Sequence, residues 1–195
     1  MEYSTLDKLG VRVSRLGFGC MRFPLTAEGK IDEPRAAAML DTAYKAGVTY
    51  YDTAYFYHQH TGEAFLGRAM KRYPRDTFYL ATKMPMSIVE SLDHAKEIFE
   101  GQLAALQTDY VDFYLLHAVN GERWKQAQEM GIVDFLLEMQ KAGRIRHFGF
   151  SFHGSYEEFE TILTARDWDF CQIQFNYMDQ EIQAGMRGYA LAEKL

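Results

Sequence analysis

The chain has 195 residues, 48% apolar and 25% charged, which suits a single globular domain over 1–195. Its formal charge of −6 argues against nucleic acid or an anionic membrane as partner, and no apolar run approaches the ~18 residues of a membrane span. With only two cysteines, Cys20 and Cys171, both placed in buried strands, and no signal-peptide pattern in MEYSTLDKLG, the expectation is a cytoplasmic protein with reduced core thiols.

Tyr3 to Leu9 and Val11 to Ser14 read as a short hairpin turning at Lys8-Leu9-Gly10. Arg15 to Met21 predicts the first strand of a sheet. Its GFG is too short for a dinucleotide fingerprint, but small residues there let backbone approach a ligand or a neighbouring strand. After a polar loop, Pro34 opens a helix whose apolar stripe is Ala36, Met39, Leu40 and Ala43. A buried strand from Thr49 to Asp52 follows, then a helix from Gly62 to Arg72. Thr77 to Thr82 is a strand that runs into Lys83. Ser87 to Leu106 has helical periodicity, with Ser87 as cap and Glu90 three residues on. Tyr110 to Leu116 is a strand that runs into His117. Glu122 to Ala142 reads as one helix stopped by Gly143. A strand from Ile145 to Phe152, a helix from Tyr156 to Arg166, a strand from Phe170 to Asn176 and a helix from Gly185 to Leu195 complete the chain.

Strand and helix alternate six times, which calls for a parallel sheet with right-handed crossovers. In a parallel β/α barrel all strand C-termini open on one face. Asp52, Lys83 and His117 each stand at such an end, and Tyr57 follows Asp52 by five residues. A carboxylate at the end of a buried strand needs a partner, and Lys83 is the candidate. An acid, a cation, a phenol and an imidazole would then share one mouth.

This set resembles the aldo-keto reductases. The residues that carry the resemblance are Asp52 and Tyr57 in DTAYFY, Lys83 in ATK and His117 in LLH. LGFGCMR (Leu16 to Arg22), GRIRHFGFS (Gly143 to Ser151) and CQIQFNY (Cys171 to Tyr177) support it in the same order along nearly the whole chain. The resemblance implies a (β/α)8 barrel of the TIM type, here truncated to about six β/α units behind an N-terminal hairpin. A closed barrel has eight units and typically ~250 residues. In the family, the later units carry much of the grip on the cofactor's phosphates. The expectation is therefore a truncated gene, a fragment, or an assembly in which a second chain, such as a homo-oligomer, covers the open edges.

The resemblance implies reduction of an aldehyde or ketone, a small-molecule carbonyl, by hydride from NADPH, with NADH as the second candidate. No side chain supplies a hydride, so a nicotinamide cofactor has to bring it. Tyr57 would be the general acid, Lys83 its cationic neighbour, Asp52 the group that holds Lys83 charged and oriented, and His117 the group that orients the substrate oxygen or assists the proton transfer. Ser151 and Gln172 are carried onto the nicotinamide carboxamide, since both side chains donate and accept hydrogen bonds. Phe152 stands where many members have Asn, and His153 could take over that contact. GFSFHGS resembles a branch whose members often carry an iron–sulfur tail, but there is no cysteine cluster here. His58 and His60 lack the further ligands of a metal site and are expected to line the substrate pocket. Tyr50, Tyr51, Tyr55 and Phe56 are either an aromatic pocket or barrel core. The competing reading is an inactive remnant or assembly subunit that keeps the fold without turnover.

Overall fold

The computed structural model describes residues 1–195. Strands β1 (Tyr3–Leu6) and β2 (Val11–Ser14) pair antiparallel across a 3-10 turn closed by Gly10 at φ +64°. The remaining strands are β3 (Phe18–Gly19), β4 (Tyr50–Asp52), β5 (Tyr79–Met84), β6 (Val111–Val119), β7 (Ile145–Phe152) and β8 (Phe170–Ile173). They form one six-stranded sheet in chain order, every pair parallel, with β3 and β8 as its edges. This is the curled sheet expected from six β/α units of a (β/α)8 barrel. No helix is long and apolar enough to cross a membrane.

The helices are α1 (Glu33–Lys45), α2 (Gly62–Met70), α3 (Leu92–Leu106), α4 (Gly121–Glu129), α5 (Ile132–Lys141), α6 (Tyr156–Thr164) and α7 (Gly185–Lys194). Asp32 caps α1 through Arg35 N, and Ser155 with Glu158 forms a capping box on α6. The main core lies between the helices and the outward-facing side chains of the sheet, among them Tyr51, Leu80, Tyr114, Leu116, Phe148 and Phe150. On the other face, Ala81, Phe113 and Leu115 pack with Tyr50, Tyr79 and Phe170, and Leu6, Leu9, Val11 and Val13 of the hairpin close over them.

Four expectations change. The first sheet strand shrinks to Phe18–Gly19, because the chain turns into a 3-10 segment at Cys20–Arg22. The third helix starts at Leu92 rather than Ser87, since Ser91, not Ser87, accepts from the His94 backbone N–H. The single helix over 122–142 is two, broken where Gly131 takes φ +70°. Cys20 is buried, but Cys171 is only half-buried on the edge strand, and burial pushes its thiol up to about 11.

Candidate active site

Strand alternation positions the site. Tyr50, Ala81, Leu115 and Phe170 all belong to the inner cluster. Two residues further along each strand come Asp52, Lys83, His117 and Gln172, so these side chains lie on the same face at the C-terminal ends. Ser151, also at a strand end, pairs in register with Gln172.

Lys83 is the centre. Its Nζ donates to Asp52 Oδ1 at 2.7 Å and to the Thr53 carbonyl at 2.7 Å. The same ammonium lies 5.2 Å from the centroid of the Tyr57 ring. Tyr57 stands in the turn after β4, where its N–H donates to Ala54 O at 3.1 Å. Gly62 lets α2 begin close against this turn, since a Cβ there would lie 3.0 Å from Tyr57 O. The His117 ring meets Tyr57 edge-on at 6.4 Å between centroids. Burial, then the Lys83 charge, holds the His117 imidazole down at about 4, so it is neutral at physiological pH.

His117 rides on an irregularity. The ladder between β6 and β7 slips between Leu116 and Val119, and Ala118 takes φ +49°. Ala118 N donates to Ser151 Oγ at 2.8 Å, and Arg123 Nη1 donates to Ala118 O at 2.7 Å. Ser151 thus already supports the backbone beside His117.

Tyr57, Lys83, His117, Ser151, His153, Gln172, Ile173 and Gln174 line one cleft of about 160 Å³. Five of the six residues expected to act on substrate or cofactor therefore line one cleft, with the sixth, Asp52, directly behind Lys83. His58, Gln59 and His60 do not line it. All three have positive φ, and this left-handed run carries them to a separate cleft of about 450 Å³ beside Lys30, Glu33 and Arg68. The His58 Nε2 lies 3.3 Å from Phe23 N and 3.1 Å from Cys20 O. Of the aromatic residues, Tyr51 is buried with its hydroxyl on Val48 O, and Tyr50 packs on Phe113 in the barrel interior. Phe56 alone is exposed at the mouth, with its ring 6.3 Å from that of His117.

Behind Lys83 lies a further polar group, unexpected from the sequence, made by Glu63, Thr82, Gln102 and Tyr114. Its signal was present: Gln102 falls on the apolar stripe of α3, between Phe99 and Leu106, and Glu63 falls on the buried side of α2.

Known proteins resemble this chain in sequence and in structure. The profile described as "Aldo/keto reductase family" matches residues 15–194. The chain is 29% identical to aldo-keto reductase YhdN of Bacillus subtilis, covering 100% of this chain and 60% of that protein. It is 32% identical to norsolorinic acid reductase stcV of Emericella nidulans over 73% of this chain and 40% of the relative. In structure it superposes on the holo form of aldo-keto reductase AKR11C1 from Bacillus halodurans with a TM-score of 0.81 at 28% identity. That match covers 100% of this chain and 63% of the other. The chain thus spans at most about three-fifths of these two curated relatives.

Proposed function

This chain belongs to the aldo/keto reductase family, and on that premise we propose that it is an NAD(P)H-dependent oxidoreductase that reduces an aldehyde or ketone to an alcohol. The observation that carries the proposal is the placement of Lys83, bonded to Asp52 and set beneath the Tyr57 ring, at the mouth His117 also lines.

In this reading Tyr57 and neutral His117 hold the carbonyl oxygen by donating hydrogen bonds to it. Tyr57 Oη gives up its proton as charge develops on that oxygen. The Lys83 ammonium offsets the charge left on the phenol, and Asp52 with the Thr53 carbonyl fixes its direction. A neutral His117 can donate without placing a second cation beside Lys83.

The residues of the mouth fit a nicotinamide cofactor. Gln174 Oε1 is buried without a partner in the cleft that Ser151, His153 and Gln172 also line. Ser151 and Gln172 would hold the carboxamide, and the bound cofactor would supply the hydride. NADPH is the first candidate and NADH the second.

Both edges of the sheet favour an added assembly role. Leu16 is 62% exposed beside β3, and Tyr177 and Met178 are 84% and 76% exposed beyond β8. Unpaired edges flanked by apolar side chains suit a homo-oligomer that covers them. Light scattering tests this, and a stable monomer of 22.6 kDa counts against it.

The function is tested by titrating the protein with NADPH, following cofactor fluorescence, and then assaying aldehydes. Tyr57→Phe is expected to abolish turnover and leave cofactor affinity nearly unchanged. A protein that binds no cofactor would favour the inactive remnant, and a Tyr57→Phe variant at wild-type rate would remove Tyr57 from its role.

A further inference from the structure

The chemistry above uses the charged end of Lys83 and leaves unexplained a second carboxylate sealed behind it. Glu63, in the first turn of α2, is 5% exposed. Its Oε1 accepts from Thr82 Oγ1 at 2.5 Å and from Gln102 Nε2 at 2.8 Å. Gln102 Nε2 also donates to the Lys83 carbonyl at 3.0 Å, and Gln102 Oε1 accepts from Tyr114 Oη at 2.6 Å. Side chains from α2, α3 and β6 thus converge on two consecutive residues of β5.

Apolar residues of the same size would fill this space without desolvating a carboxylate. Burial does push the Glu63 carboxyl above its usual range, against the hydrogen bonds and the Lys83 charge that pull it back. A buried network of this kind stabilises little, but it specifies geometry. Thr82 points outward to the helices and Lys83 inward to the mouth. Holding the Thr82 side chain and the Lys83 carbonyl together fixes the rotation of the strand about its own axis. That rotation sets the direction in which the Lys83 side chain leaves the backbone. On its inner side the ammonium is bonded to Asp52 and lies over the Tyr57 ring, and its charge also acts on His117 and Cys20 there and on Glu63 from the outer side.

We propose that Glu63 is a positioning residue for Lys83, acting through Thr82 and Gln102 to aim the ammonium at Tyr57. Its effect on turnover rests on the oxidoreductase reading; its effect on the placement of Lys83 does not.

The test uses the full chain and the variants Glu63→Ala, Gln102→Leu and the conservative Thr82→Ser. The Lys83 ammonium is followed in ¹H–¹⁵N spectra, its signal assigned by its loss in Lys83→Met. Turnover and cofactor affinity are measured in parallel, and thermal melts confirm folding. Glu63→Ala and Gln102→Leu should shift or broaden the Lys83 signal and lower kcat about tenfold or more, as misplacement of a catalytic group does. Cofactor affinity should stay within about twofold, since the interaction lost acts on the reacting step. Thr82→Ser, which keeps the hydroxyl, should retain both signal and rate. Should Glu63→Ala fail to fold, Gln102→Leu and Glu63→Gln carry the test. An unmoved Lys83 signal in folded Glu63→Ala, or in folded Gln102→Leu where Glu63→Ala does not fold, overturns the proposal. Absence of turnover in the wild type would sink the oxidoreductase reading and leave the spectral result to decide the positioning role.

Discussion

Lys83 and Asp52 pair across adjacent strands at 2.7 Å, with side chains 3% and 13% exposed. The ammonium takes a second acceptor in the Thr53 carbonyl, and Thr53 N is itself held by Ala81 O at 2.9 Å. The end of β4 is therefore tied to β5 by backbone and by charge together. Such a pair adds little stability over well-packed apolar residues, but loss of either partner leaves the other charge buried alone.

Asp52→Asn is accordingly expected to cost about 3–5 kcal/mol of stability, the usual penalty for stranding a buried charge. Lys83→Met strands a carboxylate whose Oδ2 already lacks a partner. The double variant should recover much of the loss, because no buried charge remains. Urea denaturation of the four proteins closes the cycle, and simple additivity of the two losses would show that the charges do not interact.

His117 makes stability depend on pH in a defined direction. Its folded value of about 4, set by burial and then by Lys83, lies below the ~6.5 of an unfolded chain. The unfolded state therefore takes up a proton that the folded state refuses. The contribution is whole above about pH 6.5 and is lost progressively as pH falls toward 4. At most about 3 kcal/mol is involved, less for solvent that reaches the half-buried ring. Glu63 acts in the opposite sense, since its raised value favours the fold at low pH and loses that effect as pH rises. Comparison with His117→Gln isolates the imidazole: the variant should show a flatter stability curve across this window. A His117 resonance titrating near 6.5 would contradict the assignment.

Gly67 sits where α2 meets α3. A Cβ there would stand 2.5 Å from Ala105 O and 2.6 Å from Leu106 C, both backbone atoms that cannot swing aside. Gly67→Ala should thus destabilise the protein by about 1–3 kcal/mol, although alanine is the better helix former. Glu63 lies one turn before Gly67, and Gln102 one turn before Leu106. The displacement that admits the methyl group would also part Glu63 from Gln102 and lower kcat. An unchanged melting temperature would mean that the two helices separate freely.

The strand ends were legible because period-two alternation and a parallel sheet place Asp52, Lys83 and His117 on one face without further information. Over 122–142 the sequence predicts one helix because Gly131 lies within a continuous amphipathic pattern, and only its φ of +70° breaks the helix. His58 and His60 lie outside the cleft of Lys83 for a related reason. Three consecutive left-handed residues leave no mark on composition, yet they place both histidines at a separate cleft. Glu63 and Gln102 went unnoticed because a polar residue on an apolar stripe acquires meaning only when its partner, 39 positions away in sequence, is known.

Ser151 is expected to serve two masters. Its Oγ accepts from Ala118 N at 2.8 Å and so supports a non-glycine residue at φ +49° next to His117. It also lines the cleft assigned above to the carboxamide. Ser151→Ala leaves the Ala118 N–H without an acceptor, a loss of about 1–3 kcal/mol, and should weaken cofactor binding at the same time. Ser151→Thr keeps the hydroxyl and should retain the bond to Ala118. Loss of affinity with stability intact would confine Ser151 to the cofactor; loss of stability alone would confine it to the bulge. Hydrogen exchange at the Ala118 amide separates these directly. Continued protection in Ser151→Ala would mean that Arg123, donating to Ala118 O at 2.7 Å, holds the bulge unaided.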